Sequence, residues 1–391
     1  MEKIRMNFEY AKRVSRLPPY LFAEIEKAQK EKKAQGIDLI SLSIGDPDLP
    51  PPDFVVEAFA KEVSNRKNHN YSFSQGEPDF REAVSVWYKN RFGVDVTPDQ
   101  VIALLGSKEG IANIARAFVN PGDKVLVPDP AYPVYANGST ILCDGITVQM
   151  PMLENNNFQP DLDAIATNNV RMMFLNYPNN PTAATVDKTF LKKAVDFAKD
   201  NNIILCYDNA YSEITYDNYR APSILEIPGA DEVAIEFHSL SKTFNMTGDR
   251  MAFAVGNKQL ITGLTKIKSQ IDSGPPVYTQ KVAVTALNVY KNNNQPGFLQ
   301  KNNQILQERR DLLVDTIVKI GYPCKVPKAT FYVWVDCKGD SMNFAAKLLD
   351  VGVAVTPGVG FGNCGEGYVR ITFTQPKERI QEACNRIARA F

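Results

Sequence analysis

Short, mostly apolar runs recur through the middle of the chain, at 101–105, 124–127, 170–175, 203–207, 233–237 and 251–255. Each is too brief for a helix and carries the Val, Ile, Leu and Phe content of a strand buried on both faces. Between several of them lie longer stretches with apolar residues at helical spacing, such as 111–118 and 188–201. Runs of this kind alternating with helices predict an α/β fold, a mainly parallel central sheet with helices on both faces. Upstream, the spacing predicts helices over 21–33 (apolar at Leu21, Phe22, Ile25 and Ala28), 53–65 and 80–92, with a short strand near 38–45 leading into a proline-rich loop. Downstream come a helix at 260–271, a Gly-Pro-Pro break at 274–276, and a long helical region from Tyr278 interrupted by the Asn-rich 291–297. An alternating segment at 330–335, a helix at 343–349, short strands at 353–358 and 368–373 and an amphipathic C-terminal helix predict a smaller α+β unit. The expected division is 1–47 (an arm and part of the small domain), 48–285 (large domain) and 286–391 (small C-terminal domain).

Composition narrows the partners. The 391 residues with 44% hydrophobic content can bury real cores. Forty-four basic residues balance 44 acidic ones, so no long-range field draws nucleic acid or anionic lipid. No stretch approaches the roughly 20 apolar residues of a membrane span, and the first residues lack a signal-peptide pattern, so a soluble cytoplasmic protein is expected. The six cysteines are scattered without a C-x-x-C pair and read as free buried thiols. His69 and His238, the only histidines, read as structural, and no metal site is expected.

In a parallel sheet ligands bind beyond the carboxyl ends of the strands, and the polar residues gather there. The run at 101–105 opens into Gly106-Ser107-Lys108 and a helix, where free amides, a hydroxyl and an ammonium suit a phosphate, although Gly-Ser turns before helices are common. Tyr132, in a proline-stiffened segment, either lies on an aromatic ligand or packs in the core. Asp208 follows an apolar run, so its carboxylate favours a cationic partner such as a protonated pyridine nitrogen, or else caps a helix. Gly45 permits close approach of a ligand or turns the chain. Arg370 stands inside an apolar strand, and an unpaired guanidinium is costly to bury. A structural Asp or Glu, or a substrate carboxylate, would meet it. The segment 239–250, Ser-Leu-Ser-Lys-Thr-Phe-Asn-Met-Thr-Gly-Asp-Arg, places Lys242 between two apolar runs with hydroxyls and a guanidinium nearby. This is an arrangement for presenting an amine to a cofactor aldehyde while holding a phosphate, and it suggests a pyridoxal phosphate site.

These pieces together resemble the class I/II aminotransferases of pyridoxal phosphate (PLP) fold type I, from about Leu17 to the C-terminus. Within them the chain is most similar to the LL-diaminopimelate aminotransferase branch, through Leu-Pro-Pro-Tyr-Leu-Phe-Ala-Glu-Ile, Ile-Gly-Asp-Pro-Asp-Leu-Pro, Gly-Ser-Lys-Glu-Gly-Ile, Tyr-Pro-Asn-Asn-Pro-Thr and Ser-Leu-Ser-Lys-Thr-Phe-Asn-Met-Thr-Gly. The resemblance implies pyridoxal 5'-phosphate in Schiff-base linkage to Lys242, its phosphate held by Ser107, Lys108, Ser239, Ser241 and Arg250. It implies Asp208 at the pyridine nitrogen, Asn180 and Tyr211 at the ring hydroxyl, Tyr132 on the ring, Arg370 and Gly45 at the amino-acid substrate, and a homodimer in which Tyr71 reaches the partner's phosphate.

Four features depart from the branch pattern. Ala183 stands for the glycine of Asn-Pro-Thr-Gly and Asp249 for the tryptophan of Thr-Gly-Trp-Arg, and the segments 71–75 and 272–278 differ. Asp249 either pairs with a neighbouring cation or favours a substrate with a cationic side chain. Transamination of an L-amino acid to a 2-keto acid is the expected reaction. The second reading is oxygen-dependent oxidation of a cationic amino acid such as L-arginine, which some relatives of this fold carry out. A ligand-sensing regulator fused to a DNA-binding domain is a third reading, but only 44 residues precede Gly45 and they hold no basic recognition helix.

Overall fold

The computed structural model describes residues 8–19, 21–291 and 294–391. The first seven residues, Tyr20, the side chains of residues 21–24, and Asn292 and Asn293 of the expected loop lie outside what it describes. Among the described residues there are twelve strands: β1 (Ile40–Ser41), β2 (Val101–Leu104), β3 (Lys124–Asp129), β4 (Ile146–Pro151), β5 (Val170–Asn176), β6 (Ile204–Asp208), β7 (Ala234–Ser239), β8 (Ala252–Gly256), β9 (Tyr332–Asp336), β10 (Val353–Ala354), β11 (Thr356–Pro357) and β12 (Tyr368–Thr372).

Seven strands form one sheet in the order β2-β8-β7-β6-β5-β3-β4. β3 to β7 pair in parallel, while β8 is antiparallel to both its neighbours, β2 and β7. β2 therefore runs with the parallel strands and β8 alone is reversed, so the carboxyl ends of β2, β3, β5, β6 and β7 share one edge. β4 was not expected from the hydrophobic pattern. It lies at the sheet edge and buries only Met150, so it lacks the apolar run by which the central strands are recognised.

Alternate residues of each strand feed opposite faces. Val101 and Ala103 pack with Phe80, Trp87 and Val282 from the helices Pro78–Phe92 and Val277–Leu287. Ile102 and Leu104 pack on the other face with Ile111, Ile114 and Leu260, from Ser107–Phe118 and Lys258–Lys268. Helix Lys188–Asp200, capped by Asp187, buries Leu191, Ala194, Val195 and Ala198. Each Leu or Val so buried stabilises the fold by about 2 kcal/mol.

The second layer is the antiparallel sheet β11-β12-β9, covered by helices Gly297–Lys319 and Lys377–Ala390, with Leu313, Ile317, Ile380 and Ile387 in its core. β1 pairs with β10, joining the segment before Gly45 to this layer. Among the described residues no helix is long and apolar enough to cross a membrane. All six cysteines are free, but only Cys206, Cys337 and Cys384 are buried; the other three are half-buried. His238 is buried between Tyr88 Oη (2.9 Å) and Glu236 Oε1 (2.7 Å), as a structural histidine is.

One buried cation ties the sheet's helices to the loops beside them. Lys268 is fully buried, and its ammonium meets Glu109 at 3.0 Å and Asp272 at 2.8 Å. Glu109 also accepts the Leu105 amide, and Asp272 accepts the Gly274 amide. Removing the lysine leaves two carboxylates with little access to water. Lys268→Ala should therefore destabilise the protein by about 3 kcal/mol in denaturant titration. The triple change Lys268→Met, Glu109→Gln, Asp272→Asn should recover most of that loss, and equal losses in both variants would show that charge burial is not the cause.

Candidate active site

The carboxyl edge of the large sheet and one end of the small sheet enclose a cavity of about 400 Å³. β6 delivers Asp208 into it, 6% exposed. Tyr135 Oη donates to Asp208 Oδ2 at 2.7 Å, and Asn176 Nδ2 from the end of β5 donates to the Asp208 carbonyl at 2.8 Å. Asp208 Oδ1 is buried and accepts no hydrogen bond. Burial raises the carboxyl's pKa from 3.8 to about 6, against the Tyr135 hydrogen bond that lowers it. A carboxylate in this state is completed by a cation brought from outside the chain.

Lys242 follows β7 by three residues, in the helical turn Leu240–Thr243 capped by Ser239, whose hydroxyl accepts the Ser241 amide. Its Nζ donates to the Gly45 carbonyl at 2.9 Å. Burial lowers its pKa to about 8; Asp46 opposes the shift, while Arg370 and Arg250 add to it. The amine is thus easily made neutral near physiological pH, as a nucleophile or proton carrier must be.

The phosphate-like corner is built where β2 ends. Gly106, at φ +84°, caps the helix that begins at Ser107. Arg250 lies directly over it, and a Cβ at Gly106 would stand 2.1 Å from a guanidinium nitrogen. Arg250 itself is fixed by the carbonyls of Thr247 (2.8 Å) and Leu105 (3.3 Å). Ser107, Lys108, Ser239, Ser241 and Arg250 all line this end of the cavity. Hydroxyls, two cations and a helix N-terminus converge there, a fit for a phosphate dianion.

On the opposite wall Arg370, 1% exposed on β12, donates to Asn180 Oδ1 at 2.7 Å and to the Ser43 carbonyl at 2.6 Å. Its guanidinium lies 4.4 Å from the Tyr332 ring centre and 4.7 Å from that of Phe361. Burial pushes its pKa below the ordinary value, and neither hydrogen-bond partner carries charge. The guanidinium borders the cavity, where a substrate carboxylate would reach it. Tyr132 lines the cavity, edge-on to Tyr135 at 6.1 Å, and Tyr211 lines it with Oη 2.8 Å from Tyr332 Oη.

Two expected residues are elsewhere. Tyr71 is 91% exposed and does not line the cavity of its own chain. Asp249 does not line the cavity of its own chain either, and among the described residues it forms no ion pair. Conversely, Tyr135, Tyr332, Asn176, Glu26 and Asp46 line the cavity without having been singled out. Tyr135 and Tyr332 sit in apolar surroundings where an aromatic reads as core. Asp46 was marked only by its place after Gly45, and no signal distinguished Glu26.

The residues present fit pyridoxal phosphate: an orphaned carboxylate oxygen for a pyridinium, a neutralisable lysine for an aldehyde, and a cationic corner for a phosphate. Sheet topology and site define a PLP-dependent enzyme of fold type I. The model of the aminotransferase class I and II family matches residues 37–387. An LL-diaminopimelate aminotransferase of Desulforudis audaxviator is 50% identical over 389 residues, covering 98% of each chain. Among solved structures, substrate-bound BacF from Bacillus subtilis superposes with a TM-score of 0.91 at 35% identity, covering 98% of each chain. Thermus thermophilus aspartate aminotransferase with maleate gives 0.90 at 28%, covering 98% of this chain and all of that one. The chain belongs to the class I and II aminotransferases, and it is a PLP-dependent transferase.

Two outcomes follow from Asp208 and from the turn behind Asn180. In cofactor-free protein the raised Asp208 pKa makes the charged carboxylate a burden that is absent below about pH 4 and complete above about pH 6. Asp208→Asn should then be more stable than the parent by up to about 3 kcal/mol at pH 8, converging at pH 4. A difference that does not change with pH would refute this origin. Ala183, where the family pattern has glycine, is held at φ +57°. Ala183→Gly should relieve left-handed strain and raise stability by about 1 kcal/mol in thermal unfolding.

Proposed function

We propose that this chain transfers the α-amino group of LL-diaminopimelate to a 2-keto acid. The observation that carries the reading is the 50% identity, over 98% of both chains, to an enzyme of that name. The cavity is compatible with it. Arg370 offers one end a bidentate site for an α-carboxylate. Glu26 and Asp46, both exposed at the rim, offer carboxylates to a second ammonium group.

In this reading Ser107, Lys108, Ser239, Ser241 and Arg250 hold the cofactor phosphate, and Tyr132 lies against the ring. Asn180 and Tyr211 address the ring hydroxyl. When bound, pyridoxal phosphate supplies an electron sink for the bond broken at the substrate α-carbon. Asp208 keeps a proton on the ring nitrogen, because a buried carboxylate without a counter-charge strongly favours a cation beside it. Lys242 Nζ, as a neutral amine, would take the proton from the substrate α-carbon and hold it for return. Arg370 sets the α-carbon's orientation, and Gly45 lets backbone come close to the substrate. The exposure of Tyr71 supports a homodimer in which it completes the partner's phosphate site.

No observation favours oxygen-dependent oxidation of a cationic amino acid, since Asp249, which motivated it, is not in the cavity wall. Purified enzyme given LL-diaminopimelate and a panel of 2-keto acids should form the new amino acid only when an acceptor is present. L-Arginine without an acceptor should give neither oxygen uptake nor ammonia, and either product would overturn the reading.

A further inference from the structure

One tyrosine on the sheet β11-β12-β9 meets three parts of the site at once, Tyr211, Arg370 and Gly45. Tyr332 begins β9 and is 2% exposed. Its Oη is 2.8 Å from Tyr211 Oη. Its ring carries the Arg370 guanidinium at 4.4 Å. The same oxygen is seated against Gly45, where a Cβ would stand 2.0 Å from it, and the Gly45 carbonyl is the acceptor of Lys242 Nζ. We propose that Tyr332 is a positioning residue for transamination: its hydroxyl donates to Tyr211 Oη and so directs the single Tyr211 proton at the cofactor's ring oxygen. The inference rests on the role given to Tyr211 above.

The physical case is one of proton counting. Each phenol has one proton to donate. With only the two hydroxyls in contact, either could be the donor. Once Tyr211 donates to a ring oxygen, its own oxygen is left as the acceptor and Tyr332 as the donor. Two hydroxyls aligned in one direction polarise each other, so the outer one strengthens the inner bond. Tyr332 is held for that task by burial, by the strand pairing Tyr332 to Thr372, and by the Thr330 hydroxyl that accepts the Tyr332 amide at 3.1 Å. Gly45 is the space that admits it.

Tyr332→Phe removes one oxygen and keeps the ring under Arg370, so substrate carboxylate binding should be spared. A hydroxyl donating to the ring oxygen favours the form of the bound cofactor with the more negative oxygen. Its loss should therefore raise the pH at which the visible absorbance of the loaded enzyme titrates. For Tyr332→Phe we expect an upward shift of about 0.5 pH unit, smaller than that of Tyr211→Phe. kcat should fall several-fold with KM within a factor of two, and the shift should vanish when Tyr332→Phe is added to Tyr211→Phe. If Tyr211→Phe moves the midpoint and Tyr332→Phe does not, or if Tyr332→Phe has the same effect in both backgrounds, this inference fails while the site reading stands. If Tyr211→Phe leaves the midpoint unchanged, both fail.

Discussion

A carboxylate held in the dark of the sheet without a counter-charge is the condition on which the rest of the site depends. Asp208 ends the central strand β6, where both faces are covered by helices and solvent is excluded. Ionisation there is opposed by desolvation, and the chain supplies one hydroxyl, from Tyr135, and no cation within ion-pair distance among the described residues. Only a rigid, well-packed sheet can hold a group in such a state. The same rigidity defines the position of the ring that must meet it. The cofactor's charge and the protein's unmet need are thus complementary, and binding relieves a strain that folding alone leaves in place.

The second wall has the inverse character. Arg370 is a buried cation that donates to a side-chain amide and a backbone carbonyl at the cavity wall. It comes from the small sheet, whereas Asn180 comes from the loop after β5 of the large one. The bond between them joins the two layers across the cavity. Substrate orientation therefore depends on how these layers sit together, and β1, paired with β10, carries Gly45 and its contact to Lys242 into the same frame. Ring and substrate are addressed from opposite layers, which keeps the phosphate grip and the carboxylate grip mechanically separate.

Much of this was legible in the residues. Six central strands announced themselves as apolar runs, and the polar residues after them fell at the correct edge, because a strand's carboxyl end is also where its apolar run stops. What escaped notice has physical reasons. β4 has no buried face to pattern. Tyr135 and Tyr332 act through hydroxyls, yet the residues around them are apolar, and sequence cannot say whether a phenol oxygen ends in packing or at another polar group. Asp249 adjoins the cavity residue Arg250 in sequence, yet does not itself line the cavity of its own chain. Periodicity conveys burial well and convergence of distant segments poorly.

The departures from the family pattern take on a common meaning once they are placed. Ala183 lies in the turn behind Asn180, where its amide donates to the Asn179 carbonyl at 3.0 Å, and it keeps the glycine-like backbone at some cost in strain. Asp249 does not line the cavity of its own chain. The segments 71–75 and 272–278 are one feature, because Ser72 Oγ donates to the Ser273 carbonyl at 2.8 Å and Lys268 links Asp272 to Glu109 in the helix that opens at Ser107. A change in either segment requires an answering change in the other. None of these positions replaces a group that lines the cavity. The divergence therefore lies outside the cavity wall, in the scaffold and the outer surface beside Tyr71.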